Sequence, residues 1–166
     1  PVNGKNYEIP DDNYNNKALY DFIEANKEKK KIVIQGLGFV GAVMSIVCAD
    51  SDENYAVIGV DLADERNYWK IGNINDGVFP VIADDPQIKT YFENSKEKNN
   101  FFATHDSYVY SLADVIIIDI NLDVKKKSDN AGNLISFNVD MNPFKRAVKT
   151  IGQNCKDDVL ILVETT

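Results

Sequence analysis

The sequence predicts an α/β protein built on a doubly wound parallel sheet. Apolar runs occupy residues 32–34, 57–60, 115–120 and 159–163, and turn signals and helical spacings separate them. The runs are continuous rather than alternating, which is typical of strands buried on both faces and therefore of a parallel sheet covered by helices. In such sheets ligands bind at the carboxyl ends of the strands, so the residues that directly follow these runs are the first candidates for a site.

The first run leads into a glycine-rich turn at residues 36–41. Gly36 permits a turn that is too tight for a side chain, Gly38 lets the backbone approach a pyrophosphate, and Gly41 lets the following helix pack closely on the strand. The first turn of that helix adds amide donors and the positive end of the helix dipole. In this context the turn predicts a dinucleotide site rather than a glycine turn without a ligand. The predicted cofactor contacts in the turn are Gly36, Leu37, Gly38, Phe39, Val40 and Gly41.

A helix and an acidic residue complete this unit. Apolar residues at positions 40, 43, 44, 47 and 48 follow helical spacing and predict a helix with one apolar face. The next strand ends at Asp61, at the interval expected of the acid that accepts hydrogen bonds from the hydroxyls of an adenosine ribose. A carboxylate at this position would repel a 2′-phosphate. The sequence therefore favours NAD over NADP as the cofactor.

The later elements follow in chain order. Residues 64–74 predict a polar helix that stops at an Asn-Asp-Gly turn. Asp85 before Pro86 predicts the N-cap and first residue of a helix that ends near residue 95. Residues 101–104 predict a short third strand, and an Asn-Pro pair opens a helix at residues 142–151.

Composition and charge narrow the class of protein. The 166 residues, 44% of them hydrophobic, predict one well-cored domain, which we expect at residues 31–166 behind a polar extension with one helix at residues 1–30. The net charge of -8 argues against nucleic acid or an anionic membrane as the main partner. No segment has the length or composition of a membrane span or a secretory signal. Cys48 and Cys155 lack metal-ligand spacing, so we expect reduced thiols, no metal site and a cytoplasmic protein.

Three further features each have a functional and a structural interpretation. His105, the single histidine, could be a general base at the carboxyl edge of the sheet, but a loop residue near the cofactor is favoured because no partner is visible in the sequence. The basic run at residues 27–31 could bind phosphate, yet it is typical of a solvated helix end. Asp84 and Asp85 could bind a metal, but capping of the following helix explains them more simply.

Beyond the glycine turn, several short segments carry a resemblance to a known family. From about Lys31 to its last residue, the chain resembles the N-terminal NAD-binding domain of the UDP-glucose/GDP-mannose dehydrogenase family, which has a Rossmann-like fold. The Asn-x-Gly-x-x-Pro segment at 75–80 and the Thr-x-Asp segment at 104–106 matter most, because general dinucleotide domains do not share them. Residues 59–62, 113–116 and 164–166 supply the remaining landmarks.

The resemblance implies a twofold oxidation. Members of the family convert the primary alcohol at the sixth carbon of a nucleotide-linked sugar to a carboxylate and pass hydride to two NAD molecules in succession. A cysteine nucleophile, a lysine and an asparagine carry out this chemistry, and all lie beyond the position that matches Thr166. We therefore expect an inactive fragment of an NAD-dependent nucleotide-sugar dehydrogenase, one that is a homodimer at full length and serves polysaccharide synthesis.

The resemblance also implies roles for individual residues. The glycine turn would hold the pyrophosphate and Asp61 the adenosine ribose, which Arg66 would approach unless it is an ordinary exposed residue. Thr166 matches the catalytic threonine beside the nicotinamide. Where the family has a Thr-Pro pair over the cofactor, this chain has Leu122-Asp123, so Asn121 or main-chain groups would have to serve instead. Glu164 is more similar to the UDP-N-acetylhexosamine dehydrogenases than to the UDP-glucose enzymes.

Other function classes remain open on the sequence alone. The preferred one is the cofactor half of a nucleotide-sugar dehydrogenase. A nucleotide-sensing or regulatory module that kept the fold and lost catalysis is the second, in line with the absent Thr-Pro pair. A domain for another adenosine ligand, such as S-adenosylmethionine, is the third.

Overall fold

Five parallel strands form the central sheet of the computed structural model, which describes residues 1–11, 16–122 and 124–165. In chain order the strands are β1 (Lys30–Gln35), β2 (Tyr55–Val60), β3 (Phe101–Thr104), β4 (Val115–Ile118), β5 (Val124–Ser128), β6 (Leu134–Val139) and β7 (Leu160–Val163). The sheet has the order β3-β2-β1-β4-β7, with every neighbouring pair parallel, while β5 and β6 form a separate antiparallel hairpin. The predicted doubly wound parallel sheet is confirmed.

Helices connect these strands. They are α1 (Lys17–Ala25), α2 (Phe39–Asp50), α3 (Tyr68–Asn75), α4 (Pro86–Glu97) and α5 (Asn142–Asn154), with a 3-10 helix at Ser107–Leu112. The N-cap predicted before α4 is confirmed, because the side chain of Asp85 accepts a hydrogen bond from the amide of Gln87 at 2.9 Å. The predicted helix at 64–74 begins later, since Asp64 accepts hydrogen bonds from the Asn67 side chain and the Tyr68 amide and holds residues 64–67 in a turn.

The strand order reverses beside β1. The chain moves outward from β1 through β2 to β3 and then returns to place β4 on the opposite side of β1. The connections after β1 and β4 therefore leave the sheet in opposite directions, and a crevice opens between them at the carboxyl ends. The glycine-rich turn directly follows β1, so it lies at the mouth of this crevice.

The helix predicted after the glycine turn is confirmed. Its buried residues are Gly41, Ala42, Ser45, Ile46 and Ala49, whereas the valines at positions 40 and 47 of the predicted apolar face are exposed. Met44 and Cys48 of that face are partly buried and pack against the core. Four of the five buried side chains are small, which lets α2 lie close to the sheet. Apolar spacing therefore identified the helix but only part of the side that packs on the sheet.

Two strand segments leave apolar side chains in solvent. The hairpin of β5 and β6 exposes Leu134, Ile135 and Phe137, and it follows directly on the Leu122-Asp123 departure from the family pattern. The edge strand β7 exposes all four of its residues. The sequence analysis did not predict the hairpin, because its first strand is largely a run of lysines.

Helix α1 is part of the core although it lies in the polar N-terminal extension. Leu19 and Phe22 are buried among side chains of β1, β2 and β4, and the Phe22 ring stacks on Phe102 with centroids 5.4 Å apart. The Asn16 side chain donates to the Thr104 hydroxyl at 3.3 Å, and Asn26 donates to a carbonyl just before β3. This helix therefore packs on the sheet beside its β3 edge.

Truncation of a buried α1 side chain tests this packing. Leu19→Ala is expected to lower the free energy of unfolding by about 2–4 kcal/mol, because the buried side chain is fully enclosed and its loss leaves a cavity. Urea unfolding followed by circular dichroism measures the change. Asp21→Ala on the exposed face of the same helix is the control, with an expected change below about 0.5 kcal/mol. Equal effects of the two substitutions would contradict the packing of α1.

Within residues 1–11, 16–122 and 124–165, no helix has both the length and the apolar character needed to cross a membrane. The same part of the chain contains no group of three or more His, Cys, Asp or Glu side chains placed to hold a metal ion.

Candidate functional site

A cavity of about 780 Å³ lies at the carboxyl ends of β1, β2 and β4, where the strand order reverses. The glycine turn forms one wall, the residues after β2 and β3 form the second, and the residues after β4 together with α5 form the third. Its size falls in the range typical of cofactor sites. Seven of the residues predicted to bind cofactor line it: Gly36, Leu37, Gly38, Phe39, Val40, Asp61 and Asn121.

Two glycines hold the turn against its neighbours. Gly36 has a φ of +104°, and a Cβ at this position would lie 1.9 Å from the carbonyl oxygen of Asp119 at the end of β4. A Cβ at Gly41 would lie 1.9 Å from the carbonyl oxygen of Gly36. Both distances are far shorter than a van der Waals contact between a Cβ and a carbonyl oxygen. Side chains are therefore excluded at the two points where the turn touches β4 and where α2 touches the turn.

Gly38 differs from these two because it faces open space. An added Cβ would meet nothing within 4 Å, yet Gly38 lines the cavity and is the N-cap residue of α2. The N-cap residue itself supplies no side-chain hydrogen bond to this helix, while the Asp119 carboxylate accepts one from the Gly41 amide in the first turn. The amides of Phe39 and Val40 lack intrahelical acceptors and, with the helix dipole, favour an anion in front of Gly38. The shape and the donors of this turn fit a pyrophosphate.

Asp61 follows β2 and is linked to the glycine turn. It is buried, and its Oδ2 accepts a hydrogen bond from the Leu37 amide at 3.1 Å while Oδ1 accepts one from the Leu62 amide at 2.8 Å. Oδ2 also accepts from Nζ of Lys70 at 2.6 Å. A carboxylate has about four acceptor positions, so capacity remains for a ligand hydroxyl in the cavity.

Lys70 is a site residue that the sequence analysis missed. It lies on α3, lines the cavity beside Asp61, and donates a second hydrogen bond to Oδ1 of Asn67 at 2.8 Å. Asn67 and Lys70 stand three residues apart, which places them on one side of a helical segment. That spacing was visible in the sequence, but only the fold of the connection between β2 and α3 brings the pair to Asp61.

A buried tyrosine supports the floor of the cavity. The hydroxyl of Tyr110, in the 3-10 helix, donates to Oε1 of Gln35, the last residue of β1. Burial raises the pKa of Tyr110 well above its usual value, and the nearby carboxylate of Asp61 raises that pKa further. Tyr110 is therefore a neutral hydrogen-bond donor at physiological pH.

Asp119 directly follows β4 and brings a carboxylate to the glycine turn. Its Oδ2 lies 3.0 Å from the position that a Cβ on Gly41 would occupy, and the residue lines the cavity. Burial raises the pKa of Asp119, a hydrogen bond from the Gly41 amide lowers it, and Glu164 raises it. The acid that interrupts the apolar run at 115–120 is thus a strand-end group at the crevice.

The other predicted site residues lie in different places. Arg66 is exposed and does not line the cavity, and Thr166 and Asp123 fall outside the described residues. His105 does line the cavity, where its ring meets the Tyr68 ring edge-on with centroids 5.9 Å apart, and burial lowers its pKa. Arg146 of α5 adds a cation to the third wall.

A family comparison agrees with this geometry. The sequence model of the UDP-glucose/GDP-mannose dehydrogenase family, NAD binding domain, matches residues 30–166. The chain belongs to this family. Residues 30–166 are the NAD-binding domain of this family of nucleotide-sugar dehydrogenases, and NAD is the cofactor of that domain.

Individual members of the UDP-glucose/GDP-mannose dehydrogenase family are similar to the chain over most of its length. UDP-glucose 6-dehydrogenases of Pongo abelii and Bos taurus are each 26% identical to the chain over 140 residues, which is 84% of this chain and 26% of theirs. The solved NDP-N-acetyl-D-galactosaminuronic acid dehydrogenase of Methanosarcina mazei Go1 superposes with a TM-score of 0.68 at 22% identity, over 89% of this chain and 30% of that one. The chain thus spans about a quarter to a third of the length of these relatives.

Proposed function

We propose that the cavity binds NAD with the pyrophosphate on the glycine turn and the adenosine ribose on Asp61. The observation that carries the proposal is the start of α2, where the N-cap residue Gly38 supplies no side chain and leaves open space while Gly36 and Gly41 hold the backbone in place. Phe39 and Val40 supply first-turn amides beside it. Asn121, on the opposite wall, is the proposed polar contact that serves instead of the family's Thr-Pro pair, which is Leu122-Asp123 in this chain.

The proposed reaction is the oxidation of a primary alcohol in a nucleotide-linked sugar to a carboxylate, with two NAD molecules consumed. NAD supplies the hydride acceptor when bound, and the residues of this domain bind and orient it. Family membership and the names of the relatives, which act on UDP-glucose and related sugars, support a nucleotide sugar as the substrate. A cytoplasmic enzyme that is a homodimer at full length remains part of this proposal.

We expect these 166 residues alone to bind NAD without oxidising a sugar. Cys48 lies on α2 and Cys155 ends α5, and neither lines the cavity. Burial raises the pKa of Cys48, which disfavours the thiolate that a nucleophile needs. The proposal therefore places the reacting cysteine on another part of the full enzyme.

Calorimetric titration with NAD tests the proposed site. The chain is expected to bind NAD in the micromolar to millimolar range, and Asp61→Ala is expected to weaken binding at least about tenfold, because the ribose loses a charged hydrogen-bond acceptor. Asp52→Ala, an exposed acid after α2, removes the same charge and should leave NAD affinity unchanged. Absence of NAD binding by the folded chain, or equal effects of the two substitutions, would contradict the proposed site.

The regulatory alternative depends on Leu122, which stands where the family has the threonine of its Thr-Pro pair. It predicts cofactor binding without turnover even in the full-length polypeptide. NADH formation from a UDP-sugar by that polypeptide would exclude it. The third alternative, another adenosine ligand, predicts that S-adenosylmethionine outcompetes NAD in the same titration.

A further inference from the structure

Asp61, the acid proposed to bind the adenosine ribose, forms an ion pair with Lys70. Nζ of Lys70 lies 2.6 Å from Oδ2 of Asp61, and the two side chains are only 16% and 9% exposed. Both residues line the cavity. The pair is therefore shielded from most of the solvent, and each charge acts on the other with little screening.

This pairing changes the electrostatics that the carboxylate alone would produce. An isolated acid at this position repels a 2′-phosphate, which is the usual reason why such sites select NAD. Here a lysine ammonium lies within hydrogen-bond distance of Oδ2, so it offsets the negative charge of the carboxylate that would face the ribose. A lysine ammonium is also a common ligand of phosphate groups.

We propose that Lys70 sets the cofactor specificity of this site, an inference that rests on the proposed binding of NAD. In the native chain Asp61 and Asn67 engage Lys70, and the carboxylate faces the ribose. When the carboxylate is neutralised, the ammonium becomes a ligand for a 2′-phosphate. Asp61 thus rejects NADP in two ways, by its own charge and by holding the Lys70 ammonium that would accept the phosphate.

Other cations near the crevice are placed differently. Arg66 is exposed and lies outside the cavity lining, with its amide hydrogen-bonded to Asp64. Arg146 lies on α5, across the cavity from the residues that follow β2. Among the cations of the described residues that line the cavity, Lys70 is the one paired with Asp61. Arg66, for which the resemblance implied either a contact with the ribose or an ordinary exposed position, does not line the cavity.

The test compares dissociation constants for NAD and NADP in matched variants. Asp61→Asn keeps the size of the side chain and releases Lys70, so the ratio of NADP to NAD affinity should rise at least about thirtyfold. Adding Lys70→Met to Asp61→Asn should remove most of that gain and leave only the part that comes from the lost carboxylate charge, whereas adding Arg66→Met should leave all of it. In the otherwise native chain, Lys70→Gln should lower NADP affinity relative to NAD about tenfold, because the repulsive carboxylate is no longer offset.

Each outcome decides a separate question. If the native chain is folded by circular dichroism but does not bind NAD, the proposed function fails and this inference fails with it. If the native chain binds NAD but Asp61→Asn gains no NADP affinity, or Lys70→Met leaves that gain undiminished, the role of Lys70 is overturned while the NAD site stands. Thermal unfolding of each variant shows that it is folded. Lys70→Gln, which keeps a hydrogen-bond donor for Asp61, gives a second readout of the same role if Lys70→Met is unstable.

Discussion

Gly41→Ala is expected to lower the free energy of unfolding by about 4 kcal/mol or more, a loss beyond most single substitutions. The added Cβ would lie 1.9 Å from the carbonyl oxygen of Gly36, which is backbone and is itself held against β4. The overlap is relieved only when α2 moves away from the glycine turn, and the buried residues of that helix then lose their contacts with the sheet. Urea unfolding followed by circular dichroism measures the loss.

The control is the same substitution in another helix. Gly152 lies in α5, and an added Cβ there would meet nothing within 4 Å. Gly152→Ala should raise the free energy of unfolding by about 0.5–1 kcal/mol, because alanine loses less backbone entropy in a helix than glycine. The two substitutions thus have opposite expected signs. A stable Gly41→Ala variant would show that α2 does not approach the turn as closely as described.

Gly38→Val is expected to weaken NAD binding by about 100-fold or more. The site in front of Gly38 is open, and the proposed pyrophosphate occupies the volume that a valine side chain would take, so the side chain and the ligand compete for the same space. The backbone at Gly38 is extended, with φ of -68° and ψ of -167°, which valine adopts readily. Calorimetric titration with NAD gives the change in affinity.

The stability of the same variant separates binding from folding. Gly38→Val should change the free energy of unfolding by no more than about 1 kcal/mol, the scale of an N-cap substitution. Glycines three residues apart in one turn would then have separate roles, Gly41 in folding and Gly38 in binding. Undiminished NAD affinity in Gly38→Val would place the pyrophosphate elsewhere.

Local chemistry was sufficient to predict most of the sheet and one wall of the site. Continuous apolar runs identified β1, β2, β4 and β7, and the first three are largely buried, as strands inside a parallel sheet are. The edge strand β7 was identified by the same signal although its residues are exposed. The N-cap at Asp85 was readable because it depends on two adjacent residues. The glycine turn was readable for the same reason, since its requirements are set by backbone geometry within six residues.

Features that depend on distant contacts could not be predicted in this way. The buried face of α2 consists largely of small residues, which carry a weak apolar signal although they allow the closest packing. Lys70 reaches Asp61 only because the turn at residues 64–67 delays the start of α3. Arg66, although closer to Asp61 in sequence, is exposed for the same reason.

Helix α1 lies outside the segment that the family model matches but inside the folded core. The family model begins at residue 30, yet Leu19 and Phe22 fill space beneath the sheet that residues 30–166 would otherwise leave hollow. Homology alone would trim the protein at the first strand and remove part of its interior. The folding unit is therefore longer than the segment that the family model matches.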